Sequence, residues 1–146
     1  MGQPDSPELA QADLDEAKAL DRRLTEAIGR KDLDGVMACV WNHPDLVWVL
    51  NGVVYRGPDA VRSAVKELLD NHESISLEVN DVTVTQSGNH VVGVGTATYH
   101  LKPVDGPGKL LVERWSDVRR KVDGRWVYVL DHTTHLPGEE EEPRSA

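Results

Sequence analysis

Phenylalanine is absent from this 146-residue chain and cysteine occurs once. A lone Cys39 excludes an intramolecular disulfide and any cysteine-based metal cluster. No stretch comes near the roughly 18 uncharged apolar residues of a membrane span. The first residues, MGQPDSPELAQADLDEA, show no basic region followed by an apolar run. No secretory signal is therefore expected, and the cytoplasm is the expected compartment. Basic residues are in the minority, 16 against 25 acidic ones. The one cationic run, Arg119–Arg120–Lys121, reads as a solvated strand end, which leaves no footprint for nucleic acid or an anionic membrane. The histidines (His43, His72, His90, His100, His132 and His135) follow no ligand spacing, and the glycines frame no phosphate-cradling loop. No metal and no cofactor is expected.

The aromatic residues that are present all carry a polar handle: four tryptophans and three tyrosines. Such a set suits a pocket with an apolar wall and a few directed hydrogen bonds. Length and composition, 39% hydrophobic and 28% charged, fit one globular domain. The net charge of -9 sits at the ends, since residues 1–35 hold nine acids against five bases and residues 139–146 hold four glutamates against Arg144. A polar leader over 1–6, a single domain over 7–138 and an unstructured acidic tail over 139–146 follow.

Ser6, Pro7 and Glu8 form a helix start, and Leu9, Ala12, Ala17, Leu20, Leu24, Ala27 and Ile28 recur at helical spacing up to Gly29. Asp32 caps a short second helix with Val36, Met37 and Val40 on its buried stripe. LVWVL (Leu46 to Leu50), Asn51–Gly52 and VVY (Val53 to Tyr55) make a hairpin, and Gly57–Pro58–Asp59 opens a third helix. The period then changes to two, with strands over about 75–86, 90–101, 110–122 and 125–135. Helices grouped on one face of a sheet make an α+β domain.

The phrases KDLDGVMACV (Lys31 to Val40), YRGPDAV (Tyr55 to Val61) and ERWSDVRRKVDGRWVYVLDH (Glu113 to His132), in this order of elements, resemble the nuclear-transport-factor-2-like superfamily, with its SnoaL-like and ketosteroid-isomerase-like domains. The resemblance covers about residues 10–136. It implies a cone-shaped domain with three N-terminal helices on a curved, mainly antiparallel sheet. A pocket between sheet and helices, and a homodimer through the outer face of the sheet, are implied with it. The catalytic pattern of the ketosteroid isomerases is not carried over. Leu24 stands near their oxyanion-hole tyrosine, Val49 or Leu50 at their general base, and Ser116 or Asp117 at their second acid, so that mechanism in its usual form is rejected.

Two registers remain open for the last hairpin. A two-residue turn at Asp123–Gly124 places Asp131 opposite Ser116, whereas a bulged three-residue turn places it opposite Trp115. The resemblance favours the bulge. The pocket face then carries Glu113, Trp115, Asp117, Val129, Asp131 and Thr133, with Thr96, Thr98 and His100 from the preceding strand and Trp48 from the first. Gly93, Gly95, Trp126, Tyr128 and Leu130 fall on the outer face, the last three as a dimer surface. Asp131 interrupts the apolar run WVYVL and is the leading acid or base, with a carboxyl raised by burial and by Asp117 and Glu113. His100 and Asp117 are its candidate catalytic partners; Trp48, Trp115, Glu113, Thr96, Thr98, Val129 and Thr133 are the candidate ligand contacts. The expected function is that of a pocket protein for a small apolar molecule, an isomerase, cyclase or dehydratase without cofactor. A non-catalytic binding module and a dimeric association domain are the alternatives.

Overall fold

A computed structural model of the chain describes residues 9–137. The expected leader, the Ser6–Pro7 helix start and the acidic tail lie outside the described residues. Helix α1 spans Gln11–Gly29 and buries Ala17, Leu20, Ala27 and Ile28. Helix α2 spans Leu33–Met37, and the Asp32 carboxylate caps it by accepting from the Gly35 amide at 3.0 Å. The hairpin of β1 (Val47–Leu50) and β2 (Val53–Arg56) turns on Asn51 and Gly52, both at positive φ, as its right-handed twist requires. Helix α3 (Gly57–Asp70) has proline in its first turn and buries Val61, Val65 and Leu69. Four long strands complete the chain: β3 (His72–Ser87), β4 (His90–Pro103), β5 (Lys109–Val122) and β6 (Arg125–His135). The fold is α+β, as expected.

The six strands form one sheet in the order β2-β1-β6-β5-β4-β3, antiparallel throughout except for the parallel pair β1–β6. The helices cover its inner face. Their main apolar cluster joins Ile28, Val36, Val61 and Val65 to Trp48 and Leu101 of the sheet. Burying side chains of this kind at about 25 cal/mol per Å² is what holds the two layers together.

Strand β6 differs from both of the expected registers. Val122 faces Arg125, so Asp123–Gly124 is a strict two-residue turn, with both residues at positive φ. The bulge lies further on. Arg119 faces Tyr128 but Val118 faces Leu130, which makes Val129 the extra residue. Asp131 therefore lies opposite Asp117, not Ser116 or Trp115. The bulge coincides with a change of neighbour on the other edge of β6. Before it, Tyr128 exchanges backbone bonds with Cys39 and Trp41; after it, Leu130 begins the pairing with β1.

One extra residue in a period of two reverses facing within the same strand. Trp126 and Tyr128, expected on the outer face, point inward before the bulge and are buried, at 1% and 2% exposure. Trp126 packs with Ala17 of α1, and Tyr128 with Leu20 and Cys39. Of the three expected dimer residues only Leu130 faces outward. Gly93 and Gly95 are also corrected to the inner face, opposite Asp117 and Trp115. Their hydrogens make room for the Trp115 ring and the Arg119 guanidinium. A Cβ on Gly95 would lie 2.5 Å from the indole and 3.0 Å from the Asn80 carbonyl. Replacing Gly95 by alanine should therefore cost about 1–3 kcal/mol by overpacking, read as a lower urea midpoint with unchanged slope.

Candidate functional site

Two connected chambers lie between the helices and the inner sheet face. The larger, about 220 Å³, is roofed by Leu24, Ile28, Val65 and Leu68 and walled by Trp48 and Leu111. The smaller, about 50 Å³, opens beside Asp21, Trp115, Asp117 and Tyr128. Leu24, Tyr99, Glu113, Asp131 and Thr133 line both. The roof is apolar and the floor is acidic.

That floor is built by alternation along β5. Glu113, Trp115, Asp117 and Arg119 all point inward, and Asp131, Thr133 and His135 face them from β6. Asp117 and Asp131 are direct cross-strand partners, so their Cβ atoms are about 5 Å apart. Two carboxylates this close in an apolar setting cannot both ionise freely. Arg119 decides which one does. It is fully buried, and its Nε lies 2.8 Å from Asp117 Oδ1 while Nη2 reaches both oxygens of Asp21 at 3.0 Å. Its remaining Nη1 donates to the Ala17 carbonyl at 2.7 Å. Burial lifts Asp117 to about 6, against the pull of Arg119, so it is ionised at neutral pH. Asp131 has no such clamp. Burial first, then Asp117 and Glu113, drive it well above the ordinary carboxyl range.

Glu113 is lifted to about 7 by burial and lies 3.1 Å from His135 Nε2. The carboxyl and the imidazole can share one proton across this contact in either direction. Asn51 holds the end of β6 for this purpose: its Oδ1 accepts from the His135 amide at 3.1 Å, and its own amide donates to Thr133 at 2.9 Å. The Thr133 hydroxyl and the Trp48 and Trp115 indole nitrogens have no partner among the described residues.

The sequence is matched by the model of the SnoaL-like domain over residues 22–129. The chain belongs to the SnoaL-like family, within the nuclear-transport-factor-2-like superfamily. A search of the curated proteins finds no match. Among solved structures, it is similar to one provisionally described as a scytalone dehydratase from Novosphingobium aromaticivorans DSM 12444, with a TM-score of 0.80 and 12% identity over 92% of this chain and 91% of that one. A hexachlorocyclohexane dehydrochlorinase, LinA type 2, gives a TM-score of 0.72 and 17% identity over 92% and 96%. A protein provisionally described as a calmodulin-dependent kinase II association domain from Xanthomonas campestris gives 0.74 and 20% over 94% and 99%. At such identities these likenesses show the fold alone.

Of the expected site residues, this SnoaL-like domain brings Trp48, Glu113, Trp115, Asp117, Asp131 and Thr133 to the chambers. It does not bring Thr96, Thr98 or His100. They face Arg114, Val112 and Leu110 across β4–β5, on the outer side, because the alternate residues Gly95, Ala97 and Tyr99 point inward. Val129 is the bulge residue and lines neither chamber. Arg119 is corrected from solvated strand end to buried cation; only its neighbours Arg120 and Lys121 keep exposure. Asp21, Tyr99, Tyr128 and His135 were missed. Asp21 had a readable signal, as the one acid inside the apolar stripe of Ala17, Leu20 and Leu24. Among the described residues, no three or more His, Cys, Asp or Glu side chains group as a metal site.

Removing the clamp should be severe. Arg119→Met leaves Asp21 and Asp117 buried without their cation and should cost about 3–5 kcal/mol, measured by urea unfolding. Glu113 gives the opposite sign. Its carboxyl titrates at 4.5 in the unfolded chain and at about 7 in the fold. Its contribution is therefore fully present below pH 4.5 and lost as pH rises through about 7, by about 3 kcal/mol. Glu113→Gln should be more stable than the parent at pH 8 and lose that advantage at pH 4.

Proposed function

We propose that this protein is a small-molecule enzyme that needs no cofactor and moves protons on a compact apolar substrate, in an isomerisation, cyclisation or dehydration. The observation that carries the reading is the split between Glu113 and Asp131. Both line the same apolar chamber, yet one is poised near neutrality with a histidine behind it while burial and two acidic neighbours push the other well above the ordinary carboxyl range. Pairs of carboxyls held in different protonation states are what acid–base chemistry at neutral pH requires. Glu113, with His135, is the base that takes a proton from carbon. Asp131 is the acid that protonates the departing or enolising oxygen. Thr133 supplies a further hydrogen bond to that oxygen, and Asp117, neutralised by Arg119, is a positioning residue. Among the structural likenesses are proteins described as a dehydratase and a dehydrochlorinase, which supports this class of reaction. The cytoplasm remains the proposed compartment.

The homodimer stays part of the proposal on a different set of side chains. Across the outer face, Val54, Val49, His132, Ser116 and Val94 stand in one row, with Val47, Leu130, Val118 and Val92 in the next. Val54, Val94 and Leu130 are exposed there, and such a patch favours self-association. Sedimentation at micromolar concentration should show a dimer that Val94→Asp/Leu130→Asp dissociates. A parent that runs as a monomer removes this part.

Activity is tested on a panel of apolar ketones and β-hydroxy ketones, reading deuterium uptake from heavy water and loss of water by mass spectrometry. Turnover should rise as pH passes about 7 and Glu113 ionises. Asp131→Asn and Glu113→Gln should each reduce kcat by about 10²–10⁴ with little change in affinity. Parent-like turnover in both variants would refute the assignment.

A further inference from the structure

The chambers have a charge preference that their apolar roof hides. Among the described residues, no lysine or arginine lines either one. Arg119, on the inner face beside them, is fully buried and spends its nitrogens on Asp117, Asp21 and the Ala17 carbonyl. Asp21 and Asp117 thus more than balance it. Among the described residues, Glu113 and Asp131 are left with His135 as the one basic group at the chamber wall. Beside them, Thr133 is 7% exposed, lines both chambers, and its hydroxyl has no partner among the described residues.

We propose that this site takes a lipophilic primary amine, a compact apolar body carrying one ammonium that is received by Glu113, Asp131 and Thr133. An ammonium has three donors and no acceptor, which matches two carboxyls and a free hydroxyl oxygen. A carboxylate or phosphate in the same place would meet the like charge of Glu113 and no lysine or arginine among the described lining residues. A neutral molecule would gain the apolar contact without the charge-assisted hydrogen bonds. Trp48 and Tyr99 are on the same walls, and aromatic rings favour a cation where water is excluded. The volume of about 220 Å³ exceeds the roughly 150 Å³ that accepts benzene, so the body has about one to three fused rings.

This goes beyond the functional reading: an ammonium held by Glu113 and Asp131 occupies the groups proposed as base and acid, so the amine is a ligand that competes with the molecule turned over. A bound ammonium favours the ionised carboxyls, so affinity for the amine should increase as pH rises through the range in which Glu113 titrates. The groups that face Glu113 are His135 and Asp131 from β6, Asp117 from its own strand and Tyr99 from β4. Asp21 and Tyr128 border the smaller chamber, and α3 contributes only apolar side chains to the roof.

The test uses 1-adamantanemethylamine, 1-adamantanemethanol and 1-adamantanecarboxylate, three probes of one shape and different charge, titrated into the full chain by calorimetry at pH 6 and pH 8. At pH 8 the amine should bind about tenfold or more tightly than the alcohol, the scale of one charge-assisted hydrogen bond, and the carboxylate most weakly. The preference should shrink at pH 6. It should vanish in the Glu113→Gln/Asp131→Asn chain while the alcohol still binds, which shows that the chamber is intact. An alcohol or carboxylate that binds as tightly as the amine overturns the proposal. So does an amine preference that survives in the double variant, or an amine that fails to bind at millimolar concentration. These affinities are read without turnover. A chain that binds the amine but moves no proton loses the proposed chemistry and keeps this site.

Discussion

The guanidinium of Arg119 ties the helix layer to the sheet, and the acidic floor depends on it. One side chain bonds Asp21 and the Ala17 carbonyl of α1, Asp117 of its own strand, and packs its charge 5.2 Å from the Tyr128 ring centre. Tyr128 in turn donates to Asp21, so the cluster closes on itself. A buried cation of this kind is tolerated only when its hydrogen bonds are satisfied and its charge is matched. Here both conditions are met by two carboxylates. Those same contacts fix the height of α1 above the sheet, and hence the width of the chambers beneath Leu24.

The second constraint is the bulge at Val129. Strand β6 must satisfy two different neighbours on one edge, the short segment after α2 and then β1. The extra residue absorbs the change of partner and turns the facing of the strand by one step. Without it, the strand that buries Trp126 and Tyr128 against α1 could not also present Asp131 and Thr133 to the chamber. Packing at one end of β6 and chemistry at the other are therefore compatible only because the strand is irregular between them. The two glycines of β4 serve the same layer, by letting Trp115 and Arg119 lie flat over the neighbouring strand.

The fold by itself does not choose a reaction, since one scaffold hosts many chemistries. What this chain offers for chemistry is the arrangement of carboxyls over its own inner face. Arg119 holds the Asp117 carboxylate, burial more than its acidic neighbours raises Asp131, and Glu113 lies against the histidine at the strand end. Three carboxyls on the inner faces of two neighbouring strands thus have three different environments.

Local spacing was sufficient for the elements: every helix and strand was legible, because period, caps and the turns Asn51–Gly52 and Asp123–Gly124 are properties of neighbouring residues. That the Asp131 carboxyl is raised was legible from an acid that interrupts the apolar run WVYVL, where burial favours the protonated form, although its inward facing rests on the bulge. The grouping of Glu113, Trp115 and Asp117 on one face follows from alternation, though alternation does not say that this face is the inner one. The rest was settled between distant parts of the chain. That Thr96, Thr98 and His100 face outward depends on the β4–β5 register, which alternation cannot orient. That Arg119 is buried depends on Asp21, 98 residues away, reaching it across the layers. That Trp126 and Asp131 share a face despite odd spacing depends on a bulge demanded by two successive neighbours of β6. Sequence determined the parts and their periods, for these are short-range physics; only the tertiary structure could decide direction, pairing and charge state, because each of those is a property of two segments in contact.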